Sequence, residues 1–152
     1  MARRNTEGLK GDPRAILLGE QVIGAAVEVH RHLGPGHGES VYEEALAYEL
    51  SLRSIPFIRQ HAFDLHYKGR VVGSSRLDLY VDDLLVVELK TVDAFLPVHS
   101  AQVISYLRAL RRDVGLLINF KVPLLVSGVR RIIDTSYSSV SPPPLRASVV
   151  SD

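Results

Sequence analysis

LDLYVDDLLVVELK, residues 77–90, contains two strand-like runs around an acidic turn, and charged side chains interrupt both runs. The run that starts at Leu84 is as hydrophobic as a buried strand until Glu88 and Lys90. A carboxylate or an amine is seldom buried in such a strand unless it is paired or bound to a metal. Residues two apart in a strand share a face, so Glu88 and Lys90 point the same way. With Asp78 one short strand upstream, the stretch predicts a divalent-metal hydrolytic site.

The types of side chain indicate which metal the predicted site would hold. Asp78 and Glu88 offer carboxylate oxygens, the ligands that suit Mg2+ or Mn2+. A nearby ammonium such as that of Lys90 would orient an attacking water and offset charge that develops on a phosphoryl group. The chain has no cysteine, so thiolate metal sites and disulfides are excluded.

The turn between the two runs tests this interpretation, because Asp78 and Glu88 can share a metal only if both leave the sheet on one face. A two-residue turn at Asp82-Asp83 would pair Asp78 with Val87 and turn Glu88 away. We therefore expect an odd-length loop or a bulge that brings Asp78 opposite Glu88. One face would then carry Leu77, Leu79, Val81, Leu85, Val87 and Leu89, and the other would carry Arg76, Asp78, Tyr80, Glu88 and Lys90.

The composition is that of one ordinary globular domain. Of 152 residues, 46% are hydrophobic and 23% are charged, which argues against disorder throughout the chain. A net charge of +1 gives no strong overall attraction to nucleic acid or to an anionic membrane. Charges interrupt the apolar stretch from Ala15 to Val29, so we expect no membrane span. A polar start predicts no cleaved signal peptide, and we expect a cytoplasmic protein.

Hydrophobic periodicity predicts the order helix, helix, three strands, helix, strand and a short edge strand. The predicted elements are Ile16–Leu33, Glu39–Arg53, Phe57–Tyr67, Val71–Val81, Leu84–Thr91, His99–Arg112, Val114–Phe120 and Val129–Ile133. This order describes an α/β sandwich in which helices flank a mixed central sheet. We expect a single domain at 15–134, between a flexible segment at 1–14 and a disordered Ser/Pro-rich tail at 135–152.

Several short motifs resemble a known family. GHGESVY at 36–42 matches G-x-x-E-x-x-Y, and further similar motifs are LGPG at 33–36, VELK at 87–90, PVH at 97–99, AQ at 101–102, SYL at 105–107 and GLLINF at 115–120. On these motifs the chain resembles the GxxExxY family, a branch of the PD-(D/E)XK nuclease superfamily. The resemblance covers about Ile16 to Ile133 and implies the PD-(D/E)XK sandwich.

The resemblance also implies roles for individual residues. Asp78 and Glu88 correspond to the two acids of the superfamily motif, and Lys90 corresponds to its lysine. Gln102 and Tyr106 resemble a Q-x-x-x-Y pair that helps hold nucleic acid or the site in exonuclease-like branches, and their spacing puts both on one helical face. Glu39 resembles a helix glutamate that some branches add to the metal shell. The implied catalytic set is thus Asp78, Glu88, Lys90, Gln102 and Tyr106, and the implied metal ligands are Glu39, Asp78 and Glu88.

The leading hypothesis is a Mg2+- or Mn2+-dependent nuclease that acts on nucleic acid, with DNA as the favoured substrate. The alternative is a catalytically inactive module of the same fold that binds nucleic acid or a protein partner, or builds an oligomer. A chain this short offers little surface with which to choose a substrate. We therefore expect a homo-oligomer or a subunit of a larger assembly.

Overall fold

A computed structural model of the protein describes residues 11–135 of the chain. Most of the segment predicted to be flexible and of the predicted disordered tail lies outside these residues. Residues 11–14 are described, and there the Asp12 side chain accepts a hydrogen bond from the Arg14 backbone N–H and caps the first helix. No helix of the described part combines the length and the apolar character that a membrane span requires.

The described residues form three α-helices, five strands and a short 3-10 helix. The helices are α1 Pro13–Leu33, α2 Glu39–Leu52 and α3 Pro97–Leu110, and the 3-10 helix is Leu125–Gly128. The strands are β1 Phe57–Tyr67, β2 Arg70–Val81, β3 Leu85–Lys90, β4 Val114–Asn119 and β5 Val129–Ile133. The predicted order is confirmed, and the predicted ends differ from these bounds by less than about one helical turn.

The strands form one mixed sheet in the order β1-β2-β3-β4-β5. Only the β3–β4 pair is parallel, and α3 makes the crossover between these two strands. One hydrophobic cluster joins α1 and α2 to one face of the sheet, and a second cluster joins α3 to the other face. The predicted α/β sandwich around a mixed sheet is thus confirmed. Because both faces are covered, β3 and β4 are buried along nearly their whole length.

Gly115 allows α3 to lie close to β4. A Cβ atom at this position would lie 2.7 Å from the Val103 Cγ1 atom of α3, which is closer than two carbon atoms can approach. Any other residue at Gly115 would push α3 away from the sheet. The close packing matters because α3 also carries Gln102 and Tyr106.

The side chains of β1 and β2 change from one face of the sheet to the other at Gln60 and Asp78. Arg59 bonds to Glu43 and Glu44 of α2, whereas His61 stacks on Tyr80 in the α3 layer. The two residues would share a face in a regular strand, and the left-handed φ of 50° at Gln60 reverses the alternation. Asp78, which would pair with Gln60, is likewise missing from the β1–β2 register.

The same reversal corrects one prediction about the faces of the sheet. Leu79, Val81, Leu85, Val87 and Leu89 do share one cluster, but Leu77 packs in the opposite cluster, with Tyr80 and Val86. A strict two-residue period cannot anticipate the reversal between Leu77 and Leu79, because it depends on the backbone conformation at Gln60 and Asp78.

Tyr42 fixes the connection between α1 and α2. Its ring is fully buried and stacks on Phe120 with the ring centroids 4.4 Å apart. Its hydroxyl donates a hydrogen bond to the Gly34 carbonyl and accepts one from the His37 backbone N–H at 3.2 Å. The tyrosine therefore ties the first residues after α1 to the body of α2 and sets where α2 begins.

We expect Tyr42→Phe to lower the free energy of unfolding by about 1–2 kcal/mol, because the substitution keeps the packed ring but removes two hydrogen bonds, to the backbone of Gly34 and of His37. Urea denaturation measures the change. Tyr48→Phe is the matched control, since Tyr48 is 67% exposed and belongs to the same helix. Equal stability of the two variants would show that the hydroxyl does not hold the connection.

Candidate active site

A three-residue loop brings Asp78 and Glu88 together. Leu79 pairs with Val87 and Val81 with Leu85, so residues 82–84 form the loop. Both aspartates of the loop have left-handed backbone conformations, with φ of 50° at Asp82 and 55° at Asp83. The predicted odd-length loop is confirmed, and the register carries on to place Asp78 opposite Glu88.

The two carboxylates continue the β2–β3 pairing where the backbone ladder stops. The Asp78 backbone N–H donates to Glu88 Oε1 at 2.9 Å, and the Leu89 backbone N–H donates to Asp78 Oδ2 at 2.9 Å. Each acid thus accepts a hydrogen bond from the opposite strand. The other oxygen of each carboxylate, Asp78 Oδ1 and Glu88 Oε2, takes no part in this exchange. These are the atoms with which the pair could bind a ligand.

Lys90 stands beside this pair at the end of β3. Its Nζ atom lies 3.8 Å from Glu88 Oε2, and both side chains are largely covered. The strand end is held by the buried Asn119, which lies opposite Lys90 on β4. The Asn119 amide donates to the Val92 carbonyl at 2.8 Å and accepts from the Val92 N–H at 3.1 Å. Asn119 therefore fixes the chain as it leaves the strand that carries Glu88 and Lys90.

Burial disfavours ionisation of both acids. Burial and, to a smaller extent, the neighbouring Asp78 charge raise the pKa of Glu88 to about 7, against the opposing effects of the Asp78 N–H and Lys90. Burial also raises the pKa of Asp78, which the hydrogen bonds from Leu89 and Gln60 oppose. One ammonium at 3.8 Å does not compensate two buried carboxylates, so the site lacks positive charge.

Gln60 and Glu43 join the site, although the sequence analysis did not select either of them. The Gln60 side-chain amide donates to Asp78 Oδ1 at 3.2 Å and to Glu43 Oε1 at 2.6 Å. The negative charge of Glu43 contributes to the raised pKa of Asp78. Glu43 follows Glu39 by one helical turn, a spacing that could have indicated it. No sequence signal marks a glutamine that adopts a left-handed conformation within a strand.

Gln102 and Tyr106 approach the acids from the α3 layer. Tyr106 is buried, and the side chains of Gln102 and of Ser75 of β2 lie close enough to its hydroxyl to oppose the rise of its pKa. Burial raises the pKa of Tyr106, and the charges of Glu88 and Asp78 raise it further. The structure therefore brings together Asp78, Glu88, Lys90, Gln102 and Tyr106 as one neighbourhood. Their catalytic roles remain predictions.

Glu39 lies apart from the buried pair. It is exposed in the first turn of α2, and its charge adds to the raised pKa of Glu88. Among residues 11–135, no three His, Asp or Glu side chains stand arranged to hold a metal ion. The donor chemistry nevertheless fits a hard divalent cation, because Asp78 and Glu88 offer only oxygen atoms and lack matching positive charge. The role of Glu39 as a metal ligand remains a prediction.

We expect the chain without metal to lose stability as the pH rises from 4.5 to about 7, because over this range the folded state keeps a proton on Glu88 that the unfolded state has released. The loss should reach about 3 kcal/mol by pH 8, where the carboxylate must ionise while buried. Urea unfolding in EDTA at several pH values measures it. Glu88→Gln should flatten the profile, and parallel profiles of the two proteins would contradict the assignment.

Comparison with known proteins places the chain in a family. Curated proteins and solved structures give no significant match. A family model described as the PD-(D/E)XK nuclease superfamily matches residues 17–132. The match includes most of α1 and all five strands, apart from the last residue of β5. The matched region contains the paired acids, Asp78 of β2 and Glu88 of β3, and Lys90 at the end of β3. The chain therefore belongs to the PD-(D/E)XK nuclease superfamily.

Proposed function

We propose that this protein hydrolyses phosphodiester bonds in nucleic acid, with DNA as the favoured substrate, and that it requires Mg2+ or Mn2+. Membership of the superfamily indicates nuclease-type activity, and nucleases of this superfamily generally depend on a divalent metal. The observation that carries the proposal is the meeting of Asp78, Glu88 and Lys90 where the β2–β3 ladder ends.

Asp78 and Glu88 would hold the cation. When bound, it supplies polarisation of the scissile phosphate and activation of an attacking water. The ammonium of Lys90 lies on the Glu88 side of the pair, where it would orient the water and offset negative charge in the transition state. Because Asn119 fixes the end of β3 through Val92, it would keep Lys90 in position.

The surrounding residues would position this core. Gln60 links Asp78 to Glu43 and so would hold the Asp78 carboxylate in one orientation. Gln102 would contact the nucleic acid from α3, and the buried Tyr106 beside it would help to hold the site against β2. Glu43 and Glu39 would add negative charge to the cation site, Glu43 next to Asp78 and Glu39 towards Glu88.

The remaining expectations are also part of this proposal. On its motifs we assign the chain to the GxxExxY branch of the superfamily. We also expect a cytoplasmic location. We expect it to work as a homo-oligomer or within a larger assembly, which its mass in solution would decide. The alternative function is an inactive module that binds nucleic acid or a protein partner and retains the acids for stability.

Cleavage of labelled DNA tests the activity. We expect the purified protein to cut DNA with Mg2+ or Mn2+ but not in EDTA, and Asp78→Asn and Lys90→Ala each to lower the rate by about 100-fold or more. Linear and circular substrates, single- and double-stranded, distinguish cleavage at ends from internal cleavage.

Two controls match these substitutions. Asp82→Asn replaces an exposed loop carboxylate at a left-handed position that asparagine tolerates, and Lys121→Ala removes a lysine paired with Asp93 at the surface. Both should cut at the wild-type rate. A folded wild-type protein that cuts none of the substrates in either metal would contradict the nuclease proposal and favour the inactive module.

The two helix glutamates can be ranked by their effect on metal binding. We expect Glu43→Gln to weaken Mn2+ binding by about tenfold, because Glu43 acts on Asp78 both by charge and through Gln60. Isothermal titration of the metal into each variant measures the affinity. Glu44→Gln is the control, since Glu44 is 73% exposed and follows Glu43 directly. A larger loss in Glu39→Gln would reverse the ranking.

A further inference from the structure

Beyond Gln60, the β1–β2 hairpin projects from the body of the protein. We refer to residues 61–76 as the arm. None of its residues is buried, and most are exposed on both faces. The arm contacts the body of the protein at its base, where the ring of Phe63 meets that of Tyr106 edge-on with 5.3 Å between the ring centroids. An arm with so little buried surface contributes little to the stability of the fold, which suggests that it serves another purpose.

The tip of the arm presents positive charge. Lys68 and Gly69 form a two-residue turn with φ of 49° and 82°, the tight hairpin geometry that holds Tyr67 opposite Arg70. Arg76 lies at the other end of the arm, two residues before Asp78. The arm thus carries three cations against one acid, Asp64, although the whole chain has a net charge of only +1.

The cations of the arm differ from most others on the surface that the structure describes. None of the ion pairs within residues 11–135 involves Lys68, Arg70 or Arg76. Six exposed cations elsewhere are matched with carboxylates, namely Arg14, Arg31, Arg53, Arg59, Arg108 and Lys121. The exposed Arg130 instead lies over the Phe95 ring and donates to the Ser100 hydroxyl. The arm therefore carries three exposed cations that have no carboxylate partner among the described residues, and these cations can meet an external anion.

The length of the arm suits a polyanion. From Asp78 to Gly69 the strand runs nine residues, roughly 30 Å at the rise of an extended chain. One turn of a DNA duplex is about 34 Å long and carries phosphates throughout. Cations spread along this distance, in continuity with the strand that carries Asp78, match a nucleic-acid backbone better than they match a small anion.

We propose that the arm binds the phosphate backbone of the nucleic acid on one side of the cleavage site, through Lys68, Arg70 and Arg76. This inference rests on the proposed function for the nature of the ligand. The arm would supply a local basic surface to a chain that is nearly neutral overall. Its contacts with phosphates would add affinity without reading sequence.

Fluorescence anisotropy with a labelled 30-base-pair duplex tests the proposal. We measure binding in EDTA, so that cleavage does not contribute. We expect the triple variant Lys68→Ala/Arg70→Ala/Arg76→Ala to bind at least tenfold more weakly than the wild type. The slope of log affinity against log salt should become shallower by about two to three, since each lost phosphate contact removes about one.

Two further variants control for net charge and for chemistry. Arg14→Ala/Arg31→Ala/Lys121→Ala removes the same charge from exposed, acid-paired positions, and it should bind as the wild type does. Lys68→Arg/Arg70→Lys/Arg76→Lys keeps the charge of the arm and should retain binding. Thermal unfolding monitored by circular dichroism checks that all three variants are folded.

Three outcomes would overturn the proposal: equal affinity of the arm variant and the charge-matched control, absence of duplex binding by the wild type, or a wild-type dimer in light scattering that the arm variant loses without a change in affinity. The last result would make the arm an interface between copies of the chain. Because binding is measured without metal, a protein that binds DNA through the arm yet cuts none in Mn2+ would support this inference and contradict the nuclease proposal.

Discussion

Asp78 and Glu88 each accept a hydrogen bond from the backbone of the opposite strand, and the geometry of the site depends on this exchange. The exchange requires that the backbone ladder between β2 and β3 end after Leu79 and Val87. It therefore requires the three-residue loop, which sets the register. It also requires the reversal at Gln60, beyond which β1 and β2 no longer run beside β3. Asn119 completes the arrangement by holding the end of β3 against β4.

The site places two acids and a lysine among the most buried strands of the protein, an arrangement that opposes stability. The loss of stability is confined to the site, because the rest of β3 is apolar and packs between helices on both faces. The apolar residues of β3 are Leu85, Val86, Val87 and Leu89. Apolar burial on this scale offsets a poorly compensated acid pair. Such a conflict between local stability and polarity is expected where residues are retained for chemistry, and it is unusual elsewhere in a core.

The sequence allows much of this arrangement to be predicted, because the hydrophobic periods of the helices and strands are strong and turn residues separate them. Even the β2–β3 register follows from the requirement that Asp78 face Glu88. The exchange of faces at Leu77 could not be predicted, since it depends on one left-handed glutamine. The link from Glu43 through Gln60 to Asp78 was inaccessible for a similar reason. It joins residues from three elements, and only their packing reveals that they meet.

The reversal at Gln60 also separates two parts of the molecule that evolution can alter independently. On one side lie the acids, whose positions are tied to the core through β2, β3 and α2. On the other lies a hairpin that ends in a two-residue turn and buries no residue of its own. Paired insertions or deletions near that turn would leave the core register intact and cost little stability. The length of the arm beyond Asp78 can therefore differ between relatives without any change to the core of the fold.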